Sequence, residues 1–374
     1  MDDLHNFSLI LDSLSDGVYV CDSQRRIVYW NKSAERITGW RAEEVVGRYC
    51  LDDVLAHVDK DGHRLCGEEH CPLHRSMVTG ATTDVPIIVF ARGKDGRRIP
   101  SQVTASPIHN AAGQIVGGVE TFRDVSTTFA DLRRARKIQA RNLRLDLPND
   151  PRLRISTFLM QHDIVGGDYC AVKQLDEDKY GFLLADMAGH GLAAALYTMH
   201  LSILTERFYQ LMIDPTEFAA ALNNELVPIF DSDSSFAAAI CGVIDARAGI
   251  LRLTGAGGPL PLIIHADWSV EKLKRSGLPL GVTEDFPYEE ETIELEPGDS
   301  ILSFSDGAFE IHNDKNEMLG IDGLMQILKK HDYPQTELRM DVLEEELLKF
   351  SNDIRLQDDL TIIEFRFLRQ NDSG

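Results

Sequence analysis

The sequence predicts an α+β chain in which two folded parts with different strand rhythms are joined by a helix. Three observations predict it. Residues 7–125 are short apolar runs cut by turn residues, with brief helical segments between them. Residues 127–149 switch to a basic stretch without Gly that reads as helix until Leu147-Pro148. Residues 150–374 return to strands, with helices gathered in runs rather than after every strand. That order argues for stacked layers and against a doubly wound sheet. The expected division is therefore 1–126, 127–149 and 150–374.

Composition narrows the function. The chain has 374 residues, enough for two or three domains, and is 43% apolar, enough for packed cores. Its net charge of −22 argues against nucleic-acid binding and against docking on an anionic membrane. Met1-Asp2-Asp3-Leu4-His5 shows no basic leader, and no run approaches the ~20 apolar residues of a membrane span. A cytoplasmic protein is expected. Six cysteines over this length do not form the pattern of a secreted disulfide framework.

In the first part, Phe7, Ile10, Leu11 and Leu14 recur at helical spacing until Ser15-Asp16-Gly17 breaks the helix. Val18–Cys21 and Ile27–Trp30 are predicted strands of a hairpin around Asp22–Arg26. Asn31 is placed to cap a short helix, Lys32–Thr38, which stops at Gly39. Further strands are predicted at Asp84–Ala91, Ile99–Ile108 and Ile115–Phe122, with turns at Gly93–Gly96 and Asn110–Gly113.

Asp16-Gly17-Val18, Tyr29–Glu35, Thr38-Gly39-Trp40, Glu44–Gly47, Asp95-Gly96 and Gly117–Val125 together resemble a PAS sensor domain. The resemblance implies a PAS fold and a sensory role. It names no ligand, since such domains take haem, flavin, metabolites, metals or nothing. Cys50, Cys66, Cys71 and His74 form a candidate site within it, because thiolates and imidazoles bind zinc, haem iron or an iron–sulfur cluster. The plain alternative is buried cysteines and a solvated histidine at a helix start.

In the joining helix, Val125, Phe129 and Leu132 are spaced like the start of a heptad seam, and the pattern weakens at Arg136 and Gln139. Six basic residues lie between 133 and 144. They are either a solvated face or part of a signalling helix that pairs, with the sensor domain, in a homodimer.

In the last part, strands are predicted at Phe182–Ala185, Phe236–Ile244, Ile250–Thr254, Leu260–His265, Ser300–Phe304 and Leu360–Phe367. Helices are predicted at Gly191–Leu211, Pro215–Phe230, Ile321–Lys330 and Glu337–Phe350. Asp168 and Asp186, 18 positions apart, each close an apolar run beside glycine. Asp306 follows one strand and Asp358-Asp359 precede another. All four places read as strand ends carrying carboxylates. Carboxylates gathered there repel one another unless a cation stands between them, and hard oxygen ligands favour magnesium, manganese or calcium.

Ile138-Gln139, Val165–Tyr169, Ala185–Gly191 with Ala193–Leu196, Gly255–Leu262, Gly277–Gly281, Phe304–Gly307 and Asp358–Thr361 follow one another in a specific order. Together they resemble the stage II sporulation protein E-like branch of the metal-dependent (PPM) Ser/Thr protein phosphatases. The resemblance implies an αββα sandwich, a centre of two divalent ions (Mn2+ or Mg2+), and removal of phosphate from a partner protein. The partner implied is a small anti-anti-sigma (STAS-like) protein, with PAS control. Asp168, Asp186 as the bridge, the Met187 carbonyl, Asp306 and Asp358 are the implied ligands and catalytic groups, with Asp359 as the fallback for Asp358. Gly166, Gly167, Gly189 and Gly191 are implied to let backbone approach the ions and phosphate, and His190 is read as structural rather than as a proton donor. Two positions depart from the pattern: Ala171, where many members have aspartate, and Gly258, where many have histidine.

Two rival readings come from other classes. Gly166-Gly167-Asp168-Tyr169-Cys170 superficially resembles the signature of diguanylate cyclases, but Tyr169 and Cys170 replace its Glu-Phe pair. A catalytically idle scaffold in a partner-switching pathway is the other, against which the full aspartate set speaks. A histidine kinase is disfavoured, since no glycine-rich ATP-lid pattern accompanies a phosphoacceptor histidine.

Overall fold

Alternation and turn chemistry shape the N-terminal half. The computed structural model describes residues 2–52, 54–59, 62–67, 71–82, 87–189, 191–230, 235–273, 276–352 and 356–368. The chain divides between Asp131 and Leu132 into two compact units. In the first, α1 (Asp2–Ser13) leads to β1 (Gly17–Asp22) and β2 (Ile27–Trp30), then α2 (Lys32–Thr38), α3 (Ala42–Val45) and α4 (Pro72–Thr79). β3 (Ile87–Arg92), β4 (Arg98–His109) and β5 (Ile115–Asp124) complete an antiparallel sheet in the order β2-β1-β5-β4-β3. The predicted start of β3 at Asp84 lies outside the described residues. Asn31 does more than cap α2. Its Oδ1 accepts from Val18 N at 2.9 Å and Ala34 N at 2.8 Å, and its Nδ2 donates to Leu11 O and Asp16 O. One buried amide thus ties α1, β1 and α2 together. Gly39, at φ 76°, closes α2 in the left-handed conformation that glycine adopts freely.

In the second unit both sheet faces are covered, so its strands read as continuous apolar runs. α5 (Ser126–Asn142), whose first residues belong to the first unit, is followed by β6 (Leu153–Met160), β7 (Asp168–Gln174) and β8 (Lys179–Met187). Next come α6 (Leu192–Phe208), α7 (Pro215–Phe230), β9 (Ala237–Asp245), β10 (Ile250–Ala256), β11 (Leu262–Ile264), β12 (Val270–Lys272) and β13 (Glu291–Glu294). β14 (Ser300–Phe304), α8 (Gly320–Lys330), α9 (Met340–Ser351) and β15 (Leu360–Phe367) end the fold. One sheet runs β13-β10-β9-β8-β7 and the other β12-β11-β14-β15-β6, antiparallel throughout.

Side-chain parity sets the layers. On β8, Tyr180, Phe182 and Leu184 face the second sheet, where Ile301, Ile363 and Phe365 meet them; the rings of Phe182 and Phe365 lie 4.9 Å apart. Leu183 and Ala185 face the other way, onto Leu201, Leu204, Phe218 and Leu222 of α6 and α7. Leu324, Leu328, Leu343 and Leu347 of α8 and α9 cover Leu302, Phe304 and Ile362 on the far side. The order is helices, sheet, sheet, helices. Among the described residues no helix is long and apolar enough to cross a membrane.

Candidate metal centre

The parity that builds the inner core also aims the carboxylates. Cys170 and Val172 of β7 face the space between the sheets, and two residues earlier so does Asp168. On β8, Asp186 continues the inward series of Phe182 and Leu184. The β7–β8 hairpin sets Asp168 directly opposite Asp186, so their Cβ atoms share a face at about 5 Å. Asp168 therefore opens its strand, where the sequence reading had it closing one. The second sheet supplies the rest: β14 and β15 pair through Phe304 and Ile362, which puts Asp306 beside the Asp358-Asp359 turn.

Hydrogen bonds lock the two sheets at this end. Thr361 Oγ1 donates to Asp168 Oδ2 at 2.6 Å. Thr361 N donates to Ser305 Oγ at 2.9 Å, and Ser305 Oγ donates to the carbonyl of Asp359 at 3.2 Å. Asp359, largely buried, accepts from His162 N on one oxygen and from Gly167 N on the other, both at 2.7 Å. Its carboxylate thus organises the loop entering β7. Asp358 is exposed and, among the described residues, takes a local bond from Asp359 N on Oδ1. Of the two neighbours, Asp358 has the free capacity a ligand needs.

The charges acting on these groups are chiefly one another's. Burial, and then the charge of Asp359, pushes Asp168 up to about 7. Burial, and then Asp168, Asp306 and Asp358, pushes Asp186 up to about 9. Burial, and then Asp358, pushes Asp306 up to about 6. Among the described residues Asp168 Oδ1 is buried without a hydrogen-bond partner. An all-oxygen set of crowded carboxylates with one orphaned oxygen fits hard divalent cations. Among the described residues no three His, Cys, Asp or Glu side chains stand at ligating distance from one point.

The glycines have different reasons from those expected of them as a set. A Cβ on Gly166 would lie 2.7 Å from Asp359 Oδ2, and one on Gly307 only 2.0 Å from the Asp359 carbonyl. Gly189 and Gly191 sit at φ 88° and 81° with open space around them, so backbone conformation is their requirement. Gly167 needs neither: a Cβ there meets nothing closer than 3.4 Å, the Met187 carbonyl being its nearest neighbour. His190 lies outside the described residues. Gly258 has no room for a side chain against the Ala239 backbone, and Ala171 is packed in the helix-side core.

Sequence reasoning noticed Gln139 of α5 but gave it no role at the site. It is 1% exposed. Its Nε2 donates to Gly166 O at 2.8 Å and Thr198 Oγ1 at 2.9 Å, and its Oε1 accepts from Gly166 N and Gln161 Nε2. The break in the heptad pattern at Gln139 was the available signal: a polar residue on the inward face of a helix is there to make bonds. In the first unit, Cys50, Cys66 and Cys71 line one cavity, and His74 is not part of its wall. All six cysteines are free thiols.

The sequence profile of the family described as Stage II sporulation protein E matches residues 176–368, just over half of the chain. The chain belongs to the stage II sporulation protein E family. A second profile, described as PAS fold, matches residues 11–128. The phosphoserine phosphatase RsbP of Bacillus subtilis is 26% identical over 58% of this chain and 53% of its own length. The phosphoserine phosphatase RsbU of the same organism is 25% identical over 66% of this chain and 73% of its own. The chain spans about half or less of the length of several curated relatives it matches, Stage II sporulation protein E of Bacillus subtilis among them at 24% of that protein. Among solved structures, the SiaA-PP2C domain of Pseudomonas aeruginosa aligns with a TM-score of 0.54 at 21% identity, over 65% of this chain and 98% of that one. The fold is therefore PAS followed by a PP2C-type αββα sandwich. In this family fold Asp306 and Asp359 have places beside Asp168 that the cyclase reading leaves without a role.

Proposed function

We propose that residues 150–374 form a metal-dependent phosphatase that removes phosphate from Ser or Thr of a partner protein, and that the PAS unit controls it through residues 127–149. The observation that carries the reading is the meeting of Asp168, Asp186, Asp306 and Asp358 from both sheets at one end of the sandwich, with Asp168 Oδ1 left unpartnered. These four, with the Met187 carbonyl, would hold two divalent cations, Mn2+ or Mg2+. Such ions, when bound, supply an activated water and offset phosphoryl charge. The protein's own work is positioning, which is most of what phosphoryl transfer needs. Thr361 fixes the Asp168 carboxylate, Asp359 and Gln139 fix the loop at Gly166-Gly167, and the left-handed Gly189 and Gly191 turn the backbone after β8 at the rim of the site.

The names of RsbP and RsbU support a phosphoserine substrate. A small anti-anti-sigma (STAS-like) protein is the partner this reading selects, with a cytoplasmic, PAS-paired homodimer as the working form. The test is hydrolysis of an aryl phosphate by the full-length protein, with Mn2+ and with chelator, beside Asp168→Asn and Asp306→Asn. Manganese-dependent turnover that falls to background in both variants is expected. Turnover that survives in either variant overturns the assignment. Absence of turnover in full-length protein and in residues 132–374 alike leaves the scaffold reading in its place.

A further inference from the structure

The N-terminal unit holds a second set of metal-binding side chains. Cys50, Cys66, Cys71 and His57 face one internal cavity, closed by Tyr19 and apolar residues. It leaves about 10 Å³ for the centre of a water-sized particle. That suits one water or one ion and is far too little for a haem or a flavin.

Polar groups are stranded beside this cavity. His57 is 3% exposed and, among the described residues, its Nε2 has no hydrogen-bond partner; Glu120 on β5 is fully buried, with the Tyr19 hydroxyl as its hydrogen-bonding neighbour. Nε2 and Glu120 Oε1 are 3.8 Å apart. That is long for a hydrogen bond. A buried imidazole nitrogen left without a partner beside a buried carboxyl is disfavoured unless something binds there. The sulfur side agrees: His57 N donates to Cys66 Sγ at 3.1 Å, and sulfur is a weak acceptor as a thiol. The loop that carries both residues is pinned to the sheet through Val58 and Phe90, and Leu65 N donates to His57 O at 2.9 Å. Cys71 is fixed as the N-cap of α4, and Cys50 N donates to Arg25 O.

We propose that this cavity binds a single thiophilic divalent cation of the zinc class, held by the thiolates of Cys50, Cys66 and Cys71 and by Nε2 of His57. Sulfur and imidazole in this ratio make a closed four-coordinate set; with three thiolates it carries a net charge of −1, which keeps the neighbouring buried Glu120 protonated. His57 takes the place that sequence spacing gave to His74. The described side chains do not already stand at ligating distance from one point, so the thiols turn inward on binding and release their protons to solvent. The site is independent of the phosphatase reading.

Cobalt substitution of full-length protein, stripped by chelator under reducing conditions, tests it. Cobalt on thiolates gives sulfur-to-metal charge-transfer absorption; cobalt on the oxygen-only aspartates of the second unit does not. One thiolate-bound cobalt per chain, displaced by one equivalent of zinc, is expected. Cys66→Ser and Cys71→Ser abolish the band, His57→Gln weakens binding by at least about tenfold, and His74→Gln leaves it unchanged. A wild-type protein without the charge-transfer band, or a band that persists in the Cys66→Ser, Cys71→Ser double variant, overturns the proposal. Where circular dichroism shows that a cysteine variant has not folded, equal affinities in His57→Gln and His74→Gln overturn it instead.

Discussion

Asp358 and Asp359 are chemically identical neighbours with opposite work. Asp359 is buried with both oxygens taken by backbone N–H groups, and Asp358 is exposed at the mouth of the site. Asp359→Asn turns one acceptor into an NH2 that faces an N–H, so it should destabilise the protein by about 2–3 kcal/mol. Asp358→Asn should leave stability within about 0.5 kcal/mol and raise the Mn2+ concentration needed for turnover. Thermal melts beside manganese titrations separate the two; equal melting temperatures contradict the division. The sign of the pH dependence follows from the same crowding. Folding raises Asp168 to about 7, Asp186 to about 9 and Asp306 to about 6 from an ordinary 3.8. Between the unfolded and folded values the native state holds more protons than the unfolded one, so stability falls as pH rises. Chelated protein should melt lower at pH 8 than at pH 5, Asp186→Asn should flatten that slope, and Mn2+ should remove it. A chelated protein equally stable at both pH values would show that these carboxylates do not repel.

At the scale of elements, the turns matter as much as the strands they join. A Cβ on Gly307 would collide with the backbone carbonyl of Asp359, and no side-chain rotation relieves a backbone clash. Gly307→Ala should therefore push the turn at Asp306 away from the turn at Asp358. An overpacking of about 1–3 kcal/mol is expected, with a larger proportional loss of turnover; kcat and melting temperature measured together check it, and unchanged kcat sinks it. Elements whose ends carry local signals were legible in the sequence. Ile27–Trp30, Lys32–Thr38, Pro215–Phe230, Ser300–Phe304 and Leu360–Phe367 fall where predicted, because a turn, a cap or a proline marks each boundary. β6, Leu153–Met160, was not legible: it is a half-buried edge strand with no clean alternation. β7 was missed for another reason. Read as the tail of an apolar run, Asp168 hid the strand it begins. The short edge strands β12 and β13 carry too few residues to show a period. The four aspartates were legible through motif order. The roles of Asp359 and Gln139 were not, since both depend on contacts with Gly166-Gly167 from distant parts of the chain.

At the scale of the whole molecule, α5 is where the two halves of the sequence join. It begins at Ser126, two residues after β5 ends, and runs to Asn142. Phe129 packs edge-on against Phe90 within the first unit, with ring centres 5.0 Å apart. Ten residues on, Gln139 grips both polar groups of Gly166 in the second unit, immediately before the Gly167-Asp168 step. Any rotation or slip of this helix must break the bonds to Gly166 and Thr198 or carry the loop with it. A fragment beginning at Leu132 keeps this brace, and one beginning at Asp150 discards it. Turnover of residues 132–374 should therefore exceed that of residues 150–374 by about 10–100-fold, the usual effect of losing a group that orients a ligand. Gln139→Leu in the full-length protein should reproduce the loss, because leucine fills the space and leaves the Gly166 amide and carbonyl unpaired. Its effect should appear as a higher Mn2+ concentration needed for half-maximal turnover and a lower kcat, with substrate KM little changed. Equal turnover in the two fragments would place the helix outside the catalytic unit and remove the route by which the proposed PAS control reaches the aspartates.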